Sequence, residues 1–213
     1  MAVKYPAGVS QPSYAQRRKQ QLRQEILDAA FDVFAERGYH DAGVADIAAR
    51  VGIGHSTFYR HFESKRDILE QVITTLITRA ASALNADNAP DAATTLPEYR
   101  AQVQRIAEAL DEIASDLRVV RILLIEASGV DADLQQRVFG LFDFAINATA
   151  AYFNNGRDRG YLRADLDTTA TAHAVVGMIL GTAILGLKPD IDTNTRRLLI
   201  QAAVRLMFDG LVD

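Results

Sequence analysis

The sequence of 213 residues is 49% hydrophobic and holds five prolines, a composition that predicts a folded, largely helical protein and excludes a disordered chain. It contains no cysteine, which excludes disulfides and thiolate metal sites. The net charge of −4 is spread unevenly, since residues 1–70 hold ten Lys or Arg and nine Asp or Glu, whereas residues 71–213 hold thirteen and eighteen. The acidic average therefore does not exclude a nucleic acid as partner of the first third of the chain.

Two features predict a soluble protein of the cytoplasm with no membrane partner. The first twenty residues lack the apolar stretch of a signal peptide. The longest apolar run, Ala174 to Leu187, has fourteen residues and includes Thr182, so we expect it to be too short to span a membrane.

The chain begins with an irregular segment containing proline, glycine and serine, followed by the basic run RRKQQLR. We predict a flexible basic arm over residues 1–20, in which Arg17 and Arg18 lie on DNA phosphates or reach the minor groove. A solvated start of the first helix explains the same residues equally well.

An apolar stripe at helical spacing predicts the first helix, from about Tyr14 or Ala15 to Glu36. The stripe consists of Ile26, Leu27, Ala30, Phe31 and Phe34. Gly38 follows the last of these residues and is expected to end the helix as a left-handed cap.

The stretch from Ala42 to Phe62 predicts two short helices joined by a tight turn. Its first half places apolar residues at helical intervals, Val44, Ile47, Ala48 and Val51, before Gly52 breaks the helix. The second helix begins near Ser56 and carries hydroxyl, imidazole and guanidinium groups on its outward side. This pattern is typical of a helix-turn-helix, whose second helix lies in the major groove of DNA. The alternative is two helices of a small core with an ordinary polar surface.

Four runs of residues resemble a known family in both sequence and spacing. They are ILDAAFDVFAERGY, VADIAARVGI, TFYRHF and SKRDIL, at residues 26–39, 44–53, 57–62 and 64–69. Residues 22–73 thus resemble the DNA-binding domain of the tetracycline-repressor (TetR) family of bacterial transcriptional regulators.

The resemblance implies an all-α fold of about nine helices in two domains. Residues 21–73 would form a three-helix DNA-binding domain with the helix-turn-helix, and residues 74–213 a helical domain that binds an effector and dimerises. It further implies a ligand-responsive regulator, most often a repressor. Such a protein binds a palindromic operator in double-stranded DNA as a homodimer, and a small molecule releases it.

The resemblance also assigns roles by position. Tyr59, His61 and Lys65 match phosphate-binding residues of the family, while His55 and Thr57 occupy positions that face base edges. The residues expected at DNA are Arg17, Arg18, Gly43, His55, Ser56, Thr57, Tyr59, Arg60, His61 and Lys65.

Three departures from the family pattern affect these expectations. Gly43 and Gly54 stand where relatives usually place Thr or Ser, so neither N-cap supplies a side-chain oxygen. His55-Ser56 replaces the usual Lys-Gly. Because histidine titrates near neutral pH, we expect DNA binding to weaken from pH 6 to pH 8 if His55 or His61 contacts phosphate as a cation.

Beyond a polar loop at residues 85–95, apolar periodicity predicts five more helices. They cover residues 96–114, 117–127, 131–155, 168–187 and 195–211. The third is unusually aromatic, and with polar residues in apolar surroundings it predicts a mostly apolar effector site with a few polar groups. The candidate ligand residues are Arg121, Glu126, Phe139, Phe142, Asp143, Asn147 and His173. The alternative is that these aromatic residues form ordinary core.

The last two helices predict a dimer interface, because a helix that is apolar on all sides must be covered by more than one neighbour. In the family, the corresponding helices of two subunits form a four-helix interface. The candidate interface residues are Gly177, Gly181, Leu185, Leu199, Ala202 and Leu206. An intrachain core is the alternative.

Other functions have less support. An architectural DNA-binding protein without an effector would use the same DNA-binding domain. An enzyme using the cavity of the second domain is the weaker alternative, since the four histidines form no HExxH pattern and no glycine-rich phosphate loop is present. We therefore expect no catalytic residues, no metal and no cofactor.

Overall fold

The computed structural model describes residues 13–82, 88–114 and 116–211. Over these ranges the protein forms nine α-helices and no strand, which confirms the predicted all-α fold. The helices are α1 (Tyr14–Arg37), α2 (Val44–Val51), α3 (His55–Tyr59), α4 (Lys65–Ser82), α5 (Leu96–Ala114), α6 (Leu117–Arg121), α7 (Ala132–Asp158), α8 (Thr168–Leu185) and α9 (Thr193–Leu211). Internal contacts divide the chain into two units between Val72 and Ile73, a position inside α4.

The basic run at the start of the chain belongs to α1. The Ser13 hydroxyl accepts the Gln16 N–H at 3.2 Å, and the Gln16 side chain accepts the Ser13 N–H at 2.7 Å, which forms a capping box. Arg, Lys and Gln, which favour helix, follow this cap. The prediction of a flexible arm is therefore wrong for residues 14–20, and residues 1–12 lie outside the described part of the chain.

The first unit packs α1 to α4 around one apolar core. Its fully buried side chains include Ile26, Phe34, Ile47, Phe58, Phe62, Ile68 and Leu69. Gly38 ends α1 with φ of 80°, which glycine alone adopts readily, but with ψ of 160° instead of the expected left-handed helical cap. Ser64 caps α4, because its hydroxyl accepts the Asp67 N–H at 3.1 Å.

The second unit packs α7 against α8 and α8 against α9. Its core contains Tyr99, Tyr152, Phe153, Leu162 and Ala172. At Gly156 of α7, a Cβ atom would lie 2.5 Å from Leu162 Cδ1, so the chain after α7 can fold back here only on glycine.

The helix predicted over residues 117–127 is interrupted. After α6 the backbone forms a π-helical turn, Ile122–Glu126, in which the Ala127 N–H donates to the Ile122 carbonyl five residues back. A 3-10 turn, Ala127–Gly129, follows. The Arg121 Nε donates to Glu126 Oε1 at 3.2 Å, a contact across the same five-residue interval as the π-turn hydrogen bond.

Helix α8 is longer than the apolar run seen in the sequence. It starts at Thr168, and by length and composition its 18 residues could cross a membrane, so the prediction that this segment is too short was wrong. Only 22% of α8 is buried within the described chain. A single such helix is weak evidence for a membrane, because a helix covered by neighbouring protein has the same composition.

Candidate DNA-binding surface and effector cavity

The turn between α2 and α3 is fixed by Gly52. This residue adopts the left-handed conformation with φ of 78°, and its N–H donates to the Ala48 carbonyl at 3.0 Å. The Ile53 N–H donates to the same carbonyl at 3.0 Å. These bonds close the end of α2 and set the direction in which α3 leaves the turn.

Helix α3 is anchored by one buried aromatic ring and presents polar residues to solvent. Phe58 is fully buried, and its ring centroid lies 5.8 Å from that of Phe62. On the other side of the helix, His55, Ser56, Tyr59 and Arg60 are exposed, whereas Thr57 is half-buried. The residues expected to contact DNA from α3 thus lie next to one another on an accessible surface, although their contacts with DNA stay a prediction.

Arg23 of α1 holds the segment that follows α3, a role that sequence reasoning missed. Its guanidinium donates to the His61 carbonyl at 2.6 Å and to Gln71 Oε1 of α4, and it stacks 4.3 Å from the Phe62 ring centroid. Arg23 therefore joins α1 both to the α3–α4 connection and to α4. Because its partners follow 38 and 48 residues later, no local signal in the sequence identifies it.

His61 lies among positive charges and is half-buried. Burial lowers the pKa of its imidazole below the ordinary value, and the charges of Lys19, Arg23 and Arg60 lower it further. Its Nδ1 is buried and has no hydrogen-bond partner. In the free protein these effects favour the neutral imidazole, and the expected phosphate contact of His61 stays a prediction.

Lys65 contacts backbone carbonyls of the α1–α2 turn, a role that the sequence did not predict. Its ammonium donates to the carbonyls of Tyr39, His40 and Ala42 at 2.7, 3.3 and 2.9 Å, and it lies 4.2 Å from the Tyr39 ring centroid. An ammonium has three donors, and all three are used here. Lys65 therefore ties the start of α4 to the turn between α1 and α2. A phosphate contact of Lys65 stays a prediction, and it would require the ammonium to give up one of these hydrogen bonds.

Both helices of the motif begin at glycine. Gly43 is the N-cap residue of α2 and supplies no side-chain hydrogen bond to the helix, while its own N–H donates to Asp46 Oδ2 at 2.9 Å. Gly54 caps α3 with φ of −79° and ψ of 158°, and no side-chain hydrogen bond completes this cap. Arg17 and Arg18 are exposed on the first turns of α1. Contacts of these residues with DNA stay predictions.

A cavity of about 180 Å³ lies in the second unit. Residues of α7 at intervals of three and four form one of its walls, and the end of α4, α5 and α8 supply the others. The lining residues are Ala81, Tyr99, Val103, Ile106, Leu141, Phe144, Ala145, Ala148, Thr149, Tyr152, Phe153, Val175 and Ile179.

The predicted ligand residues do not line this cavity. Other residues of α7 line the cavity, but the candidates Phe139, Asp143 and Asn147 lie on the exposed side of this helix. The remaining candidates, Phe142, Arg121, Glu126 and His173, are also absent from the lining, and Arg121 instead pairs with Glu126. One signal in the sequence could have identified the side of α7 that borders the cavity. The small residues Ala145 and Ala148 share a helix face with larger aromatic residues, and this difference in size leaves space between the side chains.

Helices α8 and α9 expose a set of large apolar side chains. Leu185 is 49% exposed and Leu206 is 67% exposed. Gly177 and Ala202 are exposed, while Gly181 and Leu199 are half-buried. This exposed apolar surface of α8 and α9 is available to a second protein surface, and the predicted interface residues belong to it.

In comparison with known proteins, residues 26–72 match the family described as "Bacterial regulatory proteins, tetR family". Over 163 residues the chain is 25% identical to the fatty acid metabolism regulator protein of Bacillus subtilis, an alignment that covers 76% of this chain and 82% of that protein.

Solved structures of regulators share the fold. SmeT, the repressor of a multidrug efflux pump of Stenotrophomonas maltophilia, matches with a TM-score of 0.73 and 22% identity over 92% of both chains. The regulator FadR of Bacillus subtilis in complex with stearoyl-CoA matches with a TM-score of 0.66 and 21% identity, over 86% of this chain and 96% of that one. At these identities the likeness shows the fold alone.

Proposed function

Because the chain belongs to the TetR family of bacterial transcriptional regulators, we propose that it represses transcription by binding a palindromic operator as a homodimer. A small molecule bound in the cavity of the second unit would release it from DNA. The observation that carries the proposal is the geometry of α2 and α3, in which Gly52 and Phe58 fix a short helix with its polar side exposed.

The proposal divides the exposed polar residues by role. His55 and Thr57, near the start of α3, face base edges in the major groove. Tyr59, Arg60 and the neutral imidazole of His61 lie on phosphates, beside the cations of α1. Phosphate contacts set affinity and position, whereas base-edge contacts set the preferred sequence.

Dimerisation through α8 and α9 would cover their exposed apolar surface. A two-fold symmetric pair of helix-turn-helix motifs then meets two half-sites about 34–36 Å apart on one face of DNA. The resulting operator is palindromic because the protein is symmetric.

Ligand response follows if the occupied cavity favours a conformation that does not fit the operator, since a ligand shifts an equilibrium only by its difference in affinity for the two states. Helix α4 is a suitable carrier, because Lys65 near its start ties the α1–α2 turn and Ala81 near its end lines the cavity. A shift of α4 would thus move the segment that positions α2.

The same proposal places the protein in the cytoplasm, where bacterial DNA lies, and gives the cavity a binding role without catalysis. Its described lining holds hydroxyl groups but no carboxylate, imidazole or amine that would act as an acid, a base or a nucleophile.

Selection of genomic DNA fragments on the purified protein tests the proposal. We expect a few palindromic sites bound by a dimer, with affinity measured by fluorescence anisotropy. Phe142→Ala serves as a control outside the DNA-binding domain, and Tyr59→Ala should weaken binding to all sites alike. Many scattered sites without symmetry would instead support an architectural DNA-binding protein.

A further inference from the structure

We infer that the cavity binds a compact, uncharged and mostly apolar molecule that carries a hydrogen-bond donor. This inference rests on the proposed function, in which the occupant of the cavity is the effector. It follows from the volume of the cavity, from the absence of charged side chains in its described wall, and from the hydrogen bonds that the wall hydroxyls donate within the protein.

The size of the cavity favours a molecule of one or two rings. Its volume of about 180 Å³ is below the usual range of about 300–1,000 Å³ for ligand sites. It is close to the volume of about 150 Å³ of an apolar cavity that binds benzene. A long acyl chain with a nucleotide attached exceeds this space.

The wall carries no charge among its thirteen described residues. Its only polar side chains are the hydroxyl-bearing Tyr99, Thr149 and Tyr152. Tyr99 stays neutral because burial raises the pKa of its hydroxyl. A carboxylate placed here would lose its hydration without gaining a cation, and such an ion is strongly disfavoured in an apolar site.

Two of the three hydroxyl groups of the wall already use their protons in hydrogen bonds within the protein. Tyr152 donates its proton to the Asn88 carbonyl, and Thr149 donates to the Ala145 carbonyl at 2.8 Å. Each hydroxyl has one proton and two acceptor lone pairs, so these oxygens remain acceptors. They therefore match a ligand O–H or N–H better than a ligand carbonyl or ether.

Isothermal titration of the full chain with three matched probes tests the inference. At pH 7, 2-naphthol is neutral and donates a hydrogen bond, 2-naphthoate is an anion, and 2-methoxynaphthalene has no donor. We expect 2-naphthol to bind about 100-fold or more tightly than 2-naphthoate. It should bind about fivefold more tightly than the ether, the size of one hydrogen bond. Equal binding of 2-naphthoate or of stearoyl-CoA, or no binding of 2-naphthol, would overturn the inference.

Substitutions in the cavity wall test whether 2-naphthol binds in the cavity. Ala148→Phe fills the space and should abolish binding of 2-naphthol, whereas Ala170→Phe at an exposed position of α8 should leave it unchanged. If Ala148→Phe does not fold, the double variant Thr149→Val, Tyr152→Phe keeps the shape of the wall. In that variant the preference for 2-naphthol over the ether should fall below about twofold. An unchanged preference contradicts the role given to the two hydroxyls.

Operator release is measured separately by anisotropy. A probe that binds with the predicted selectivity but leaves the operator bound supports the ligand class and refutes the proposed response. Release by an anionic probe that competes with 2-naphthol would refute the ligand class and keep the response.

Discussion

The two units of the protein are stabilised in different ways. In the first, long cationic side chains hold backbone carbonyls: Arg23 donates to His61, and Lys65 donates to Tyr39, His40 and Ala42. In the second, six large apolar residues of α8 and α9 are between 37% and 67% exposed, and α7 borders an apolar cavity. The first unit thus fixes the surface that we propose binds DNA, whereas the second leaves apolar surface that a subunit and a ligand would cover under the same proposal.

The largest expected effect comes from placing a charge on the exposed apolar surface of α9. Leu206→Glu buries a carboxylate if the surface is a dimer interface, which costs several kcal/mol. We expect a monomer at micromolar concentration in equilibrium sedimentation. We also expect a fall of about 100-fold or more in operator affinity, because a second half-site no longer contributes.

Phe139→Glu is the matched control, since Phe139 is 53% exposed on α7 and lies outside the predicted interface. It should leave the dimer intact. A dimeric Leu206→Glu variant, or a monomeric Phe139→Glu variant, would move the interface away from α8 and α9.

The difference between the units also explains what the sequence could predict. Gly52, Phe58 and the Ser64 cap follow local rules of turns, spacing and capping, so the sequence located the helix-turn-helix. Periodicity predicted α7 as a helix, but α7 has large apolar residues on several sides, and packing against other helices decides which side meets the cavity. The roles of Arg23 and Lys65 depend on carbonyls more than 20 residues away, and no local pattern records such contacts.

The second prediction separates a structural lysine from a DNA-binding one. Lys65→Met removes hydrogen bonds from a charged donor to three carbonyls, and we expect the free energy of unfolding in urea to fall by roughly 2–4 kcal/mol. The dependence of operator affinity on salt should stay unchanged under conditions in which the variant is folded. If the slope of log affinity against log salt concentration instead fell in magnitude by about one, Lys65 would bind a phosphate.

Lys19→Met serves as the contrasting variant, because Lys19 is exposed on α1 close enough to His61 to lower its pKa. It should leave the stability unchanged and reduce the salt dependence of DNA binding by about one.

The third prediction concerns the effect of pH on the first unit. The pKa of His61 is lowered in the folded protein, so as the pH falls below about 6.5 the unfolded chain takes up a proton first. The stability contributed by the neutral imidazole is therefore complete above about pH 6.5 and is lost as the pH falls through the lower folded value. Urea unfolding from pH 8 to pH 5 should show this decline, and His61→Gln should reduce it.

His40→Gln, at an exposed position, should retain the decline. In DNA binding, the difference between wild type and His61→Gln should be constant from pH 7 to pH 8 and change only at lower pH. A difference that changes between pH 7 and pH 8 would show that the imidazole binds phosphate as a cation after all.

The smallest effect is expected at the N-cap of α3, where Gly54 supplies no side-chain hydroxyl. A Cβ atom at Gly54 meets nothing closer than the Ser56 hydroxyl at 4.0 Å, and the backbone there is extended, so Gly54→Ser is tolerated. Serine should stabilise the first unit by a few tenths of a kcal/mol, while Gly54→Ala, which adds Cβ without oxygen, should destabilise it. If the serine hydroxyl also reaches a phosphate, operator affinity rises with Gly54→Ser and not with Gly54→Ala.

At Gly43, by contrast, an added Cβ atom would lie 3.2 Å from Asp46 Oδ2, so Gly43→Ser must displace the carboxylate that accepts the Gly43 N–H. A gain at Gly43 equal to that at Gly54 would contradict this reasoning, because only the cap of α3 has open space beside it.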